Sequence, residues 1–172
     1  KKSKDKNQLW YFEPAKASDM ASMKTDMAFA FKNVKGKRYM DLSGKGAKAQ
    51  KKDGEIKLWD MDYYPDRYAQ LIKSNIDGYF YVQPMHSKYV WDIASGKTNN
   101  GAVLQLWDKK NTPQQQFKFK YAGSAMTFTI ENRGSKKNID ASNSEIDKNG
   151  CKIQIWKNNN KTNQQWKLEP AG

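Results

Sequence analysis

Apolar and polar residues alternate along this chain in short runs, each broken by turn residues, and no stretch keeps a helical period for three turns. Short period-two runs of this kind predict strands. They fall into three groups of four: residues 29–31, 39–42, 56–59 and 70–72, then 79–82, 89–93, 103–107 and 116–119, then 128–130, 138–140, 153–156 and 165–168. Turn signals separate them, among them Ser95-Gly96, Asn99-Asn100-Gly101, Asn111-Thr112-Pro113 and Asn149-Gly150, where Gly and Asn tolerate the backbone angles a tight reversal needs.

The groups share a phrase as well as a rhythm. Met40-Asp41-Leu42, Trp91-Asp92-Ile93 and Ile139-Asp140-Ala141 each lead to a Trp closing the third strand, and Trp59, Trp107 and Trp156 stand 48 and 49 residues apart. A Gln-containing phrase follows: Gln70-Leu71-Ile72, Gln115-Gln116-Phe117 and Gln164-Gln165-Trp166. One supersecondary unit is therefore repeated at about 27–77, 78–124 and 125–172, and a unit of that size cannot bury its own core alone. The expected fold class is all-β, a barrel or sandwich built by three copies. Ile72, Phe117, Trp166 and an upstream Trp10 are expected to point inward, each large ring stabilising by ~2–3 kcal/mol on burial.

Residues 1–26 fit the scheme differently. Asn7 to Ala15 repeats Asn163 to Ala171 with six of nine positions identical, so it resembles the closing strand of a repeat. Two readings stay open: the tail of an upstream repeat followed by a connector, or an extra strand packed on the barrel. The start at Lys1, without a signal-peptide pattern, reads as a processed product or a piece of a longer chain.

Composition narrows the function classes. At 172 residues the chain has the size of one domain, and 13% aromatic content supplies a core despite only 37% hydrophobic residues. The formal net charge of +13 attracts polyanions, but the lysine clusters at residues 1–6 and 45–52 carry neither a groove-reading helix nor zinc ligands,. No apolar run reaches membrane-spanning length,, so no membrane insertion is expected. His86 is the only histidine and Cys151 the only cysteine; a His-centred triad, a His-rich metal site and an internal disulfide are excluded. Asp60 and Asp62 read as turn carboxylates. No catalytic residue, metal or cofactor is expected, and the chain is read as not an enzyme.

Three repeats of about 48 residues, each of four strands with a closing Gln-x-Trp phrase, resemble the ricin B-type (R-type, QxW) lectin β-trefoil. The resemblance implies a six-stranded barrel capped by three hairpins, with pseudo-three-fold symmetry, over residues 27–172. It also implies carbohydrate sites made of an Asp, a Gln and aromatic ending the third strand, and an Asn-Gln pair. A carboxylate makes charge-assisted bonds to adjacent hydroxyls while an aromatic ring takes the C–H face of a sugar. The third repeat carries the whole set, Asp140, Gln154, Trp156, Asn163 and Gln164. The second has Asp92, Gln105, Trp107 and Gln115, with Gln114 where Asn is expected. In the first, Asp41, Trp59 and Gln70 remain, but Lys57 replaces Gln and Ala69 replaces Asn; that site is degraded, or retuned by Lys57 toward an acidic sugar. The same polar residues have a structural reading, the Asp capping its turn and the Asn-Gln pair bracing a hairpin.

What the resemblance implies for function is a non-catalytic lectin domain for galactose or N-acetylgalactosamine-type glycans, a secreted targeting module of a larger toxin or exported enzyme. Its partners would be cell-surface or extracellular glycans and a covalently linked catalytic or toxin domain. The alternative is a trefoil that holds sulfated glycan, lipopolysaccharide or nucleic acid through its charge.

Overall fold

The structure, a computed structural model, describes residues 27–42, 50–60 and 67–171. Within them lie twelve strands: β1 (Ala28–Asn33), β2 (Tyr39–Leu42), β3 (Ile56–Trp59), β4 (Ala69–Lys73), β5 (Phe80–Pro84), β6 (Tyr89–Ile93), β7 (Leu104–Asp108), β8 (Phe117–Tyr121), β9 (Thr127–Asn132), β10 (Asn138–Ala141), β11 (Cys151–Trp156) and β12 (Trp166–Pro170). Each lies within two residues of a run read from the alternation. Both readings of residues 1–26, including Trp10, lie outside the described residues.

The first and fourth strands of each repeat form a closed barrel. Around it β1 pairs with β12, β12 with β9, β9 with β8, β8 with β5, β5 with β4, and β4 with β1, all antiparallel. Closure leaves the barrel without a free edge. The second and third strands form three hairpins, β2–β3, β6–β7 and β10–β11, which cap one end. This is a β-trefoil.

The hairpins also bond to one another in a ring. The Gly54 carbonyl accepts from Leu106 N–H at 2.8 Å, Gly101 N–H donates to the Ile155 carbonyl at 2.8 Å, and Gly150 N–H donates to the Leu58 carbonyl at 2.8 Å. Each hairpin turn therefore lies against the third strand of a neighbouring repeat. Gly101 and Gly150 have φ of +93° and +84°, the left-handed region that glycine enters without steric cost.

Alternation drives one face of every barrel strand inward. Phe29, Phe31, Phe80, Phe117, Phe119, Phe128 and Trp166 are all at most 3% exposed. Trp91 joins them, its ring centroid 5.0 Å from that of Phe31 and 5.8 Å from that of Phe117; such tilted aromatic pairs are favourable beyond their buried area.

The first repeat corrects the expected register. Phe117 pairs with Phe80, and Trp166 with Phe128, at the start of their strands, whereas the residue opposite the corresponding Phe29 is Ala69. The closing phrase of the first repeat is thus Arg67-Tyr68-Ala69. Ile72 is only half-buried, and Leu71 takes the inward position instead, because a strand turns alternate side chains to opposite faces. Ala69 is far smaller than Trp166, and Trp91 and Arg67 close most of the space it leaves; a residual cavity of about 10 Å³ remains between them.

Candidate functional site

The third repeat builds its site on the β10–β11 hairpin. Asp140 faces Gln154 across the ladder, and a strand-to-strand pair of this kind brings side chains within bonding reach. Gln154 Nε2 donates to Asp140 Oδ1 at 3.0 Å. Its other oxygen, Oδ2, accepts from Asn163 Nδ2 at 2.9 Å and from Gln164 Nε2 at 2.8 Å. Asn163 and Gln164 are each 1% exposed, presented by a short 3₁₀ turn, Thr162–Gln164. Gln164 also donates to the Lys157 carbonyl and accepts from Asn159 N–H. The Asn-Gln pair therefore braces the carboxylate from behind and ties the hairpin to the closing strand.

In front of Asp140 a pocket of about 330 Å³ opens to solvent, lined by Asp140, Ser142, Asn143, Ser144, Gln154, Trp156 and Asn159. Trp156 presents its ring at 37% exposure, an unusual state for a residue whose burial is favoured. Ser142, Asn143, Ser144 and Asn159 were not singled out by the motif. The signal for Asn159 was the Asn158-Asn159-Asn160 run after the Trp; Ser142 leads into, and Asn143 and Ser144 begin, a 3₁₀ turn, Asn143–Glu145, shortly after Asp140. Burial pushes the Asp140 carboxyl above the usual carboxylate range, against the pull of the Gln154, Gln164 and Asn163 amides.

The second repeat reproduces part of this. Asp92 is 2% exposed and accepts from Gln105 Nε2 at 3.0 Å and Gln115 Nε2 at 2.9 Å. Gln115 further donates to the Asp108 carbonyl at 2.8 Å and accepts from Lys110 N–H. Gln114 does not reach the carboxylate: its amide lies against Gly96, and its carbonyl accepts from Asn132. Asp92 thus has two amide donors where Asp140 has three, and burial raises its pKa too. Trp107 is partly exposed, with Lys52 Nζ 4.5 Å from its ring centroid and 2.6 Å from Asp108 Oδ2. That ion pair lowers the Asp108 pKa.

The first repeat diverges most. Asp41 accepts from Leu42 N–H at 2.8 Å, Lys57 lies 3.4 Å from Glu55, and Trp59 is 42% exposed. Gln70 is not brought to Asp41: it pairs across the ladder with Gln83 and Ala28, on the strand face opposite to Ala69. Arg67, 3% exposed, takes the place of Gln115 and Gln164, and shares with Asp41 the wall of the small cavity beside Ala69. The sequence phrase misled because the first repeat has lost both its Gln and its aromatic there, and a Gln three residues later filled the pattern.

Other candidates resolve simply. Cys151 is buried at the head of β11, and burial pushes its thiol up to about 11. Asp60 is held by Arg38 at 3.1 Å and by Asn149; Asp62 lies outside the described residues. Among the described residues there is no group of three or more His, Cys, Asp or Glu placed to hold a metal, and no helix long and apolar enough to cross a membrane.

The family description "Ricin-type beta-trefoil lectin domain-like" matches residues 6–107, 69–156 and 113–172. The chain belongs to this family. Its solved neighbours share the fold at low identity. The designed three-fold symmetric protein ThreeFoil superposes with a TM-score of 0.75 at 18% identity, covering 82% of this chain and 96% of that one. The exo-β-1,3-galactanase 1,3Gal43A from Clostridium thermocellum superposes with a TM-score of 0.74 at 22% identity, covering 85% of this chain and 30% of that one. In sequence, the clotting factor G α subunit of Tachypleus tridentatus is 35% identical over 48 residues, 28% of this chain and 7% of that protein. This lectin-type domain thus corresponds to only a small part of those two larger chains.

Proposed function

We propose that the protein is a non-catalytic lectin domain whose third repeat binds a neutral, galactose-type sugar. The observation that carries this is the pocket in which the Asp140 carboxylate and Gln154 amide lie beside the half-exposed ring of Trp156. A hexose offers vicinal hydroxyls to the first pair and a C–H face to the ring. The amides behind Asp140 oppose the desolvation of its charged form and hold it oriented, and such preorganisation lowers the ordering cost of binding. Galactose or N-acetylgalactosamine is the sugar the motif suggests, and the galactanase among the structural neighbours is in keeping with it. By the same analogy, and with the larger proteins matched, the domain serves as an extracellular targeting module joined to a catalytic or toxin partner.

Asp140 is a poor first target for mutation, because its removal strands three buried amides at a cost of about 1–3 kcal/mol each. Trp156 is the better probe. Titration calorimetry with methyl β-galactoside is expected to show Trp156→Ala losing about tenfold or more in affinity, with unfolding free energy changed by less than ~1 kcal/mol. Affinity of the wild type should be nearly flat between about 0.15 M and about 0.5 M salt, where polyanion binding falls steeply. Full affinity in Trp156→Ala, or binding confined to sulfated or phosphorylated glycans and lost in salt, would replace this reading with the polyanion one.

A further inference from the structure

The second and third sites differ at one position that the fold places in direct correspondence. In the third, Asn159 N–H donates to Gln164 Oε1 at 3.1 Å, and Asn159 lines the pocket. In the second, Lys110 N–H makes the same bond to Gln115 Oε1 at 2.6 Å. The backbone bond fixes the correspondence without alignment: a pocket-lining amide has become a cation. The surroundings change in the same sense. Ser142, Asn143 and Ser144 correspond by their offset from the Asp to Ala94, Ser95 and Gly96, which trade most of the wall's hydroxyl and amide groups for smaller ones.

Three lysines surround the two carboxylates of the second site. Lys110 acts on Asp92 electrostatically, and Lys52, Lys88 and Lys110 all act on Asp108. On Asp140 burial acts first and the Gln154, Gln164 and Asn163 amides oppose it, with no lysine among the influences resolved there. Of these lysines, Lys52 is held by Asp108, and Lys88 Nζ stands 5.3 Å from the centroid of the Tyr89 ring. The exposed Lys110 ammonium enters no ion pair among the described residues. Among the described residues no cation stands over Trp156, as Lys52 does over Trp107.

We propose that the second repeat is a site for an acidic sugar, a hexuronic acid, with Lys110 as the residue that selects its carboxylate. The inference rests on the third repeat's reading as a lectin site and extends it: one fold carries a neutral-sugar site and an acidic-sugar site side by side. A ring carboxylate supplies Lys110 with the charge-assisted partner it lacks, while Gln105 and Asp92 hold hydroxyls and the partly exposed Trp107, one face of which carries Lys52, borders the sugar. A neutral hexose offers Lys110 only uncharged hydroxyl acceptors, a weaker partner for the same loss of hydration.

The indole N–H signals of Trp107 and Trp156, assigned by substitution, report the two sites separately in one ¹⁵N-labelled sample. Methyl galacturonoside is expected to shift Trp107, and methyl galactoside to shift Trp156. Lys110→Asn should weaken the galacturonoside response at Trp107 about tenfold or more, and Asn159→Lys should confer a galacturonoside preference at Trp156. Lys110 is exposed, so Lys110→Asn leaves the core untouched; Asn159 is half-buried and its amide donates to Asn163 Oδ1 at 3.0 Å, so Asn159→Lys is read only in a sample whose urea unfolding matches the wild type. The inference fails if Trp107 ignores galacturonoside while Trp156 answers galactoside, or if Lys110→Asn leaves the Trp107 response intact. Silence of both indoles to both sugars would sink the lectin reading beneath it.

Discussion

In the proposed sugar site Asp140 combines two requirements that usually conflict: it is nearly buried, and to accept sugar hydroxyls it would have to stay charged. Three amide donors favour the charged form, but desolvation outweighs them, and the carboxyl sits above the usual range,. A raised folded-state pKa means that the native protein takes up this proton more readily than the unfolded chain does. Acidification through that value therefore withdraws no stability through Asp140; it removes the acceptor. Galactoside affinity is expected to fall at a pH above the ordinary carboxylate range while near-ultraviolet circular dichroism stays native. Calorimetric titration at stepped pH checks this, and affinity that holds down to about pH 4 would take the Asp140 carboxylate out of ligand contact.

Among the strands, the closing ones differ most in what they give the core. Trp166 and Phe117 are fully buried, whereas the first repeat puts Ala69 in that place and borrows Trp91 from β6 to fill the volume. Conservation of volume rather than of position is what a close-packed interior demands. Trp166→Ala is expected to cost about 3–5 kcal/mol in urea unfolding, and Ile72→Ala about 1 kcal/mol or less, since Ile72 lies half outside. Equal costs would return Ile72 to the motif position. Alternation alone located all three closing strands, but an inward residue and its neighbour differ by one step, and only the pairing of Ala69 with Phe29 decided which was which.

At the level of the whole molecule, the closed barrel and the ring of hairpins make three weak units into one. Most of the +13 charge lies on this single compact body, so like charges repel more in the folded state than in the expanded one. Salt screens that repulsion, and the melting temperature is expected to rise between about 0.02 M and about 0.3 M sodium chloride; a flat or falling value would mean that the charges are locally balanced. The sequence by itself determined the period, the strand number, the fold class and the Asp, Gln and Trp of the second and third hairpins. All of these are written in local alternation and in spacing within one repeat. Tertiary structure alone decided the rest. It put Arg67 rather than Gln70 beside Asp41, set Asn163 and Gln164 behind the carboxylate, laid Lys52 of one repeat over Trp107 of the next, and matched Lys110 to Asn159. The Lys52–Trp107 contact depends on how the ring of repeats closes; the others join a hairpin to a closing turn far along the same repeat, and local alternation does not say which side chains meet there.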